Sequence, residues 1–322
     1  MNAAISITAI SNPNSGLNKR GQFRRFCDVV ESYSQIQHEV TSAESDMDHV
    51  LEACQSAAIP VIVVNGGDGT LHKVLSFLSQ SAAQGYAPKL AVMRAGTTNM
   101  TFGDIGLKGD LDQLFKDLLA YVSGGKNKVK ECSRPILRMR IPAENKEVCG
   151  MFFGAGAVYS GILYCRQNIH SYGITGEFGP TLAVLRYLLD WMTRGKLIQS
   201  AVGQVHIKDQ SAVNGEFTVI LASTLQRLLG GVYPFWGEGR FKNELALTLI
   251  KSNSKKSFIS SLQILRGRVP CGKDDGYISV KTKAVRLMIK GGFTLDGELF
   301  GSQDKESEVF LDADAMAHFL IR

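Results

Sequence analysis

Through the first 125 residues, short apolar runs alternate with stretches whose apolar positions recur at helical spacing. Ile5–Ile10 predicts a strand, and Arg20–Tyr33 a helix with Phe23, Phe26, Val29 and Val30 along one face. Ile36–Val40 predicts a second strand, and Asp46–Ala57 a second helix carrying Met47, Val50, Leu51 and Cys54. Pro60–Val64 is a β-branched run suited to a strand buried on both faces. A helix over Leu71–Leu78, a strand over Leu90–Met93 and a helix over Leu111–Val122 continue the series. Such alternation argues for an α/β domain: a parallel sheet covered by helices, with ligands at the carboxyl ends of the strands.

The pattern changes after Gly124–Gly125. Ile136–Ile141, Val202–Ile207, Glu216–Ala222, Glu244–Ile250, Ile278–Lys281 and Val285–Ile289 predict strands with turn residues between them. Thr181–Thr193 predicts one helix, with Leu182, Leu185 and Leu189 on its apolar face. Many strands and few long helices imply an antiparallel β domain. Glu308–Phe319 predicts a short strand and then a helical turn. The division expected is residues 1–125 and 126–305, with the tail 306–322 returning to the first domain.

Length and composition fit this reading. A chain of 322 residues with 44% apolar and 20% charged residues has enough core for two domains without disulfide or metal staples. The formal net charge of +6 favours anionic partners without choosing among nucleotide, acidic lipid and nucleic acid. Cys27, Cys54, Cys132, Cys149, Cys165 and Cys271 form no CxxC pair and the histidines no HExxH, so reduced thiols rather than a zinc site are expected. Apolar stretches such as Ala57–Val64 are too short for a membrane span, and the first residues lack a basic signal-peptide region. The expected location is cytoplasmic, with at most peripheral contact at the inner membrane face.

The strongest chemical signal is Asn65-Gly66-Gly67-Asp68-Gly69-Thr70, where a buried strand gives way to a helix. Glycines let the backbone approach a ligand, and amides at a helix start receive phosphate oxygens. Asp68 stands where a carboxylate can hold magnesium or a hydroxyl; alternatively Asp68 or Thr70 simply caps the helix. Asn12-Pro13-Asn14-Ser15-Gly16 follows the first strand, and Arg94-Ala95-Gly96-Thr97-Thr98-Asn99 follows the fourth, at the same sheet edge. Three such loops are better explained by a shared ligand than by three ordinary turns. Neither a P-loop GxxxxGK[ST] nor an opening GxGxxG is present.

NPNSG, GGDGT and GTTN, in this order, resemble the catalytic domain of the diacylglycerol kinase family, to which bacterial lipid kinases and the sphingosine and ceramide kinases are related. The resemblance extends to Asp296-Gly297-Glu298, similar to a DGE motif near the family's C-terminus, and more loosely to Gly230–Gly239. It implies a nucleotide-binding α/β domain, a β-sandwich domain and an active site in the cleft between them. It further implies ATP, Mg²⁺ and transfer of the γ-phosphoryl group to a lipid hydroxyl such as that of diacylglycerol. On this resemblance Asn12, Pro13, Asn14, Ser15, Gly16, Thr41, Gly66, Gly67, Asp68, Gly69, Thr70, Gly96, Thr97 and Asn99 contact the nucleotide. Glu298 is the general base, Asp68 organises magnesium or the hydroxyl, and Glu238 is a metal ligand. The partner implied is a lipid at the membrane surface and no nucleic acid, with a homodimer left open.

Some positions depart from the family pattern. Arg94 and Met100 replace a proline and an aspartate, with Asp104 four residues beyond Met100, and Glu238 stands where relatives commonly carry aspartate. Arg94 is either an extra phosphate ligand or a solvated cation. Met151–Tyr159 and Leu228–Trp236 are apolar enough for a lipid groove, though core strands would look the same. Lys255, Lys256, Arg266 and Arg268 flank apolar residues in a stretch that would suit either anionic lipid or an ordinary surface helix. Two other readings stay open. One is a soluble NAD-kinase-like enzyme, which shares GGDGT but is less well matched by GTTN and FTLDGE. The other is a nucleotide-binding regulator whose catalysis has lapsed.

Overall fold

The computed structural model describes residues 5–42, 44–97, 99–168, 199–226, 228, 243–252, 276–302 and 304–322. The chain forms two compact units, Met1–Arg134 with Met316–Arg322, and Pro135–Ala315.

In the first unit, β1 (Ile7–Ser11), β2 (Ile36–Val40), β3 (Val61–Asn65) and β4 (Lys89–Val92) pair in parallel, in the order β2-β1-β3-β4. Every residue of β1 and β3 is buried, as the β-branched runs require. Three helices connect them, α1 (Gln22–Val30), α2 (Glu44–Ser56) and α3 (Asp68–Ser81), and α4 (Met100–Ile105) and α5 (Leu111–Val122) follow β4. Ile7, Ala9, Val61, Val63 and Ala91 form one core with Phe26 and Val30 of α1 and Leu114, Phe115 and Leu118 of α5. Phe26 meets Phe115 edge-on at 5.7 Å. The alternate strand residues Ile10, Ile62, Val64 and Leu90 are equally buried, as are Leu51, Leu71, Val74 and Leu75 of α2 and α3.

The boundary expected at residue 125 moves to 134. Gly124 and Gly125 close α5 instead of ending the unit: the Gly125 N–H donates to the Ala120 carbonyl at 2.7 Å and the Gly124 N–H to Tyr121 at 3.2 Å, with Gly124 at φ +72°. This is a Schellman helix stop. The chain then adds β5 (Lys130–Pro135) at the edge of the same sheet.

Six strands and a helix follow in chain order: β6 (Leu137–Ile141), β7 (Lys146–Gly150), β8 (Phe152–Gly156), α6 (Ala157–Asn168), β9 (Ala201–Ile207), β10 (Val213–Ser223) and β11 (Leu245–Lys251). β12 (Tyr277–Thr282), β13 (Ala284–Lys290), β14 (Phe293–Leu295), β15 (Glu298–Phe300) and β16 (Glu306–Asp312) complete the second unit. All recorded pairings here are antiparallel, and β6–β16 form one hydrogen-bonded sheet through β10. One edge of β10 pairs with β9 up to Phe217 and with β8 from Val219, while the other carries β11. A register shift at Phe217/Val219 marks the point where it changes partner. Inward residues of both branches, including Leu137, Phe153, Val205, Leu247, Leu287 and Leu311, share one core.

The tail departs from expectation in two ways. Residues 306–315 remain with the second unit, where β16 pairs with β13 and β6. The predicted helical turn is instead β17 (Met316–Ile321), which lies between β4 and β5 in the first unit's sheet. His318 and Phe319 pair in parallel with Lys89 and Leu90, and Phe319 and Leu320 are fully buried. Burial overrides the helix preference of the alanine-rich approach. The predicted helix 181–193 lies outside the described residues. Among the described residues no helix is long and apolar enough to cross a membrane.

Candidate active site

Parallel β1, β3 and β4 bring the loops after them to one sheet edge, and there the loops interlock. The N–H of Gly67 donates to Ser15 Oγ at 3.0 Å, and Leu17 N–H donates to the Ala95 carbonyl at 2.9 Å. A β-carbon on Gly96 would lie 2.8 Å from Gly67 Cα, and one on Gly16 would collide with Thr97 Oγ1. Glycine is therefore required at these positions by neighbouring backbone, not only by a prospective ligand. Asn12 Nδ2 reaches Thr70 Oγ1 at 3.4 Å, and Asn12 Oδ1 accepts from the Asn14 N–H at 2.8 Å.

Helix α3 starts here. Its N-cap is Gly67, and no side chain caps it, so the capping alternative for Asp68 and Thr70 does not apply. Asp68 is the first helical residue; its Oδ1 accepts the Thr101 N–H at the start of α4, at 3.4 Å. Gly69 follows it in the first turn, and Thr70 is buried. Without a side-chain cap on Gly67, the start of this fourteen-residue helix turns its positive dipole end toward an anion, and within the first turn the Thr70 N–H donates to the Gly67 carbonyl at 3.0 Å.

Asn99 is a brace. It adopts the left-handed conformation at φ +48°, accepts the Gly96 N–H at 2.8 Å and donates to the Gly96 carbonyl at 2.6 Å. Thr97, in the same loop, is exposed; Pro13 is half-buried and Asn14 exposed in the first loop. Thr41 is buried just beyond β2, with its N–H on the Ser11 carbonyl at 2.9 Å and its hydroxyl on the same oxygen at 3.4 Å. The structure thus gathers the three loops and ties Thr41 to the end of β1.

Sequence reading missed the buried polar residues beneath these loops. Asn18 Nδ2 donates to the Asn12 carbonyl at 2.7 Å and to the Asn65 carbonyl at 3.2 Å, and Asn65 Nδ2 donates to Ser11 Oγ at 3.2 Å. The available signal for Ser11 and Asn65 was a polar residue ending a buried strand, β1 and β3 respectively. Beside them is a cavity of about 390 Å³, whose lining includes Asn18, Arg25, Asn65, Arg94 and Phe102. Arg94 is exposed at its border, whereas Asp104 is paired with Arg134 at 3.5 Å with both side chains buried.

In the second unit, Asp296 and Gly297 are the two turn residues of the β14–β15 hairpin, at φ +48° and +89°. Paired positive φ values are those of a type I′ turn, for which Asp-Gly is well suited. Asp296 is buried; its carboxylate accepts the Met151 N–H at 3.0 Å and the Phe152 N–H at 2.9 Å. Phe293 packs between Phe153 and Phe300, anchoring the hairpin to β8. Glu298 is consequently held at the first position of β15, half exposed, with Arg166 Nη2 3.7 Å from its Oε2. Arg166 is itself held by the Gly297 carbonyl at 2.7 Å. Met151–Tyr159 forms β8 and the start of α6, with Phe152–Gly156 buried. Glu238, most of Leu228–Trp236 and the basic stretch 255–268 lie outside the described residues.

The sequence profile described as "Diacylglycerol kinase catalytic domain" matches residues 6–130, the segment that carries all three loops. The match agrees with the resemblance that these loops carry. A protein of Streptococcus pneumoniae serotype 4 named "Putative lipid kinase" is 27% identical over 111 residues, which is 34% of this chain and 37% of that protein. The match therefore spans little more than a third of the curated relative's length. Two solved structures from Bacillus anthracis str. Sterne share the fold across 98% of this chain and 96% of theirs. One, titled "Crystal structure of a putative diacylglycerol kinase", has a TM-score of 0.63 at 16% identity; the other, described as a diacylglycerol kinase, has 0.60 at 13%. At these identities the likeness speaks for the fold.

Proposed function

We propose that the chain is an ATP- and Mg²⁺-dependent lipid kinase that transfers the γ-phosphoryl group to a lipid hydroxyl, diacylglycerol being the first candidate. The observation that carries this reading is the uncapped start of α3, ringed by glycine contacts from two other loops. Such a cradle suits a polyphosphate, which needs many backbone donors and close approach. In this reading Ser15, Gly16, Gly66–Thr70 and Thr97 hold the phosphates, while Asn12 and Asn99 keep the loops in place. Magnesium neutralises phosphate charge when bound, and the carboxylates offered to it are Asp68 and Glu238. Glu298 accepts the proton of the lipid hydroxyl as it attacks, with Arg166 Nη2 3.7 Å from its carboxylate. The lipid would be met at the inner membrane face by a cytoplasmic protein.

Incubation of the chain with γ-labelled ATP, Mg²⁺ and either diacylglycerol in mixed micelles, a total lipid extract or NAD tests the reading. Label is expected in a lipid that gains one phosphate. Phosphorylated NAD with no labelled lipid would replace it with the soluble-kinase alternative, and ATP binding without turnover on any acceptor would favour a lapsed enzyme.

A further inference from the structure

The first unit also brings together a set of metal-ligating side chains remote in sequence from the three loops. Cys27 lies on α1, Glu31 is the residue that ends that helix four positions later, and His38 projects from the adjacent β2. One ligand atom from each falls within 4.8 Å of the other two. Spacing of i, i+4 puts Cys27 and Glu31 on one helix face, and the strand supplies the third donor from across the layer.

The histidine is prepared for this role. Its Nε2 is 2.9 Å from Ser11 Oγ, and its Nδ1 faces Glu31 Oε1 at 3.8 Å. A hydrogen bond at one ring nitrogen leaves the other as the donor to a metal, the usual arrangement around ligating histidines. Phe26 stands edge-on to the ring at 5.8 Å and Phe23 lies at 6.5 Å, restricting its rotation. The His38 side chain is only 9% exposed, whereas that of Glu31 is 67% exposed, so a cation can reach the cluster from the Glu31 side.

We propose that Cys27, Glu31 and His38 form a site for a thiophilic divalent cation of the zinc class. Tetrahedral zinc with metal–sulfur and metal–nitrogen bonds of about 2.3 and 2.0–2.1 Å needs donors roughly 3.5 Å apart. The present spacing reaches that with a small closing movement, most easily by the exposed Glu31 carboxylate. Three protein donors leave a fourth position for water. A mixed thiolate, imidazole and carboxylate set excludes magnesium and calcium and selects among zinc, cobalt and nickel by geometry. A thiol binds zinc as the thiolate, so the metal displaces the Cys27 proton on binding.

The test is calorimetric titration of the reduced, chelator-treated chain with Zn²⁺ in two buffers of different ionisation enthalpy, together with Co²⁺ absorption spectra. One equivalent per chain, proton release and a thiolate-to-cobalt charge-transfer band are expected. Cys27→Ser should abolish the band, and Glu31→Ala, on an exposed side chain that leaves the fold intact, should weaken zinc binding by at least about 10-fold. Absence of high-affinity binding, or equal affinity in wild type and Glu31→Ala, would overturn the assignment. A band that survives Cys27→Ser would place the metal on another thiol and overturn it equally.

Discussion

The loops of the first unit and the DGE hairpin of the second hold their chemistry in opposite ways. Around α3 the shape is made by what is missing: Gly16, Gly67 and Gly96 let three loops touch backbone to backbone. At the β14–β15 hairpin the shape is made by a side chain, since the buried Asp296 carboxylate ties the turn to β8. Form and proposed chemistry are inseparable in the first region and reside on different residues in the second. Adding a methyl group should damage both properties at once around α3, whereas in the hairpin a substitution can remove one and leave the other.

The largest expected effect tests that separation. In its proposed role as base, Glu298→Gln should lower kcat by about 10²–10⁴-fold while ATP affinity and the urea midpoint stay near wild type. Unchanged turnover would remove Glu298 from the chemistry. Gly96→Ala should reduce both stability, by about 1–3 kcal/mol, and ATP binding, because its β-carbon meets Gly67 Cα. Denaturant titration and nucleotide binding on the same preparation would show whether the two losses travel together. Asp296→Asn replaces a charged acceptor with an amide that must turn a donor toward the Met151 and Phe152 N–H groups. A cost of about 1–3 kcal/mol in stability is expected, with a smaller fall in kcat than for Glu298→Gln.

The smallest effect concerns pH. His318 of β17 is 2.8 Å from Ser133 Oγ, and its pKa is lowered below 6.5 by burial and by Lys89, with Glu131 opposing. The unfolded chain therefore takes up this proton first as pH falls. Stability from this residue is fully present above about pH 6.5 and is lost as pH drops toward the depressed folded value. His318→Gln should flatten that part of the pH dependence, measured as the urea midpoint between pH 5 and 7.

The parallel domain was legible in the sequence because β1 and β3 are buried on both faces and its helices are amphipathic. Ile36–Val40 and Leu111–Val122 match their predicted bounds. The gathering of three loops followed from topology alone, since parallel strands deliver their C-terminal turns to one edge. What failed was information held in tertiary contacts. Gly124–Gly125 looked like a domain break but stops a helix, and the helical turn expected at the end of Glu308–Phe319 is instead the strand Met316–Ile321. The roles of Asn99 and Asp296 were equally hidden, because a polar side chain that braces backbone has the same letter as one that meets substrate.

Insertion of β17 between β4 and β5 has a consequence for biosynthesis. A ribosome delivers β1–β5 early, yet residues 316–321 must emerge before the gap between β4 and the edge strand β5 can close. Until then β4 presents an unsatisfied row of amides and carbonyls, open to the wrong strand of another nascent chain. The intervening residues 135–315 have time to fold while the earlier half still waits for its last strand. The first-made unit is therefore finished last.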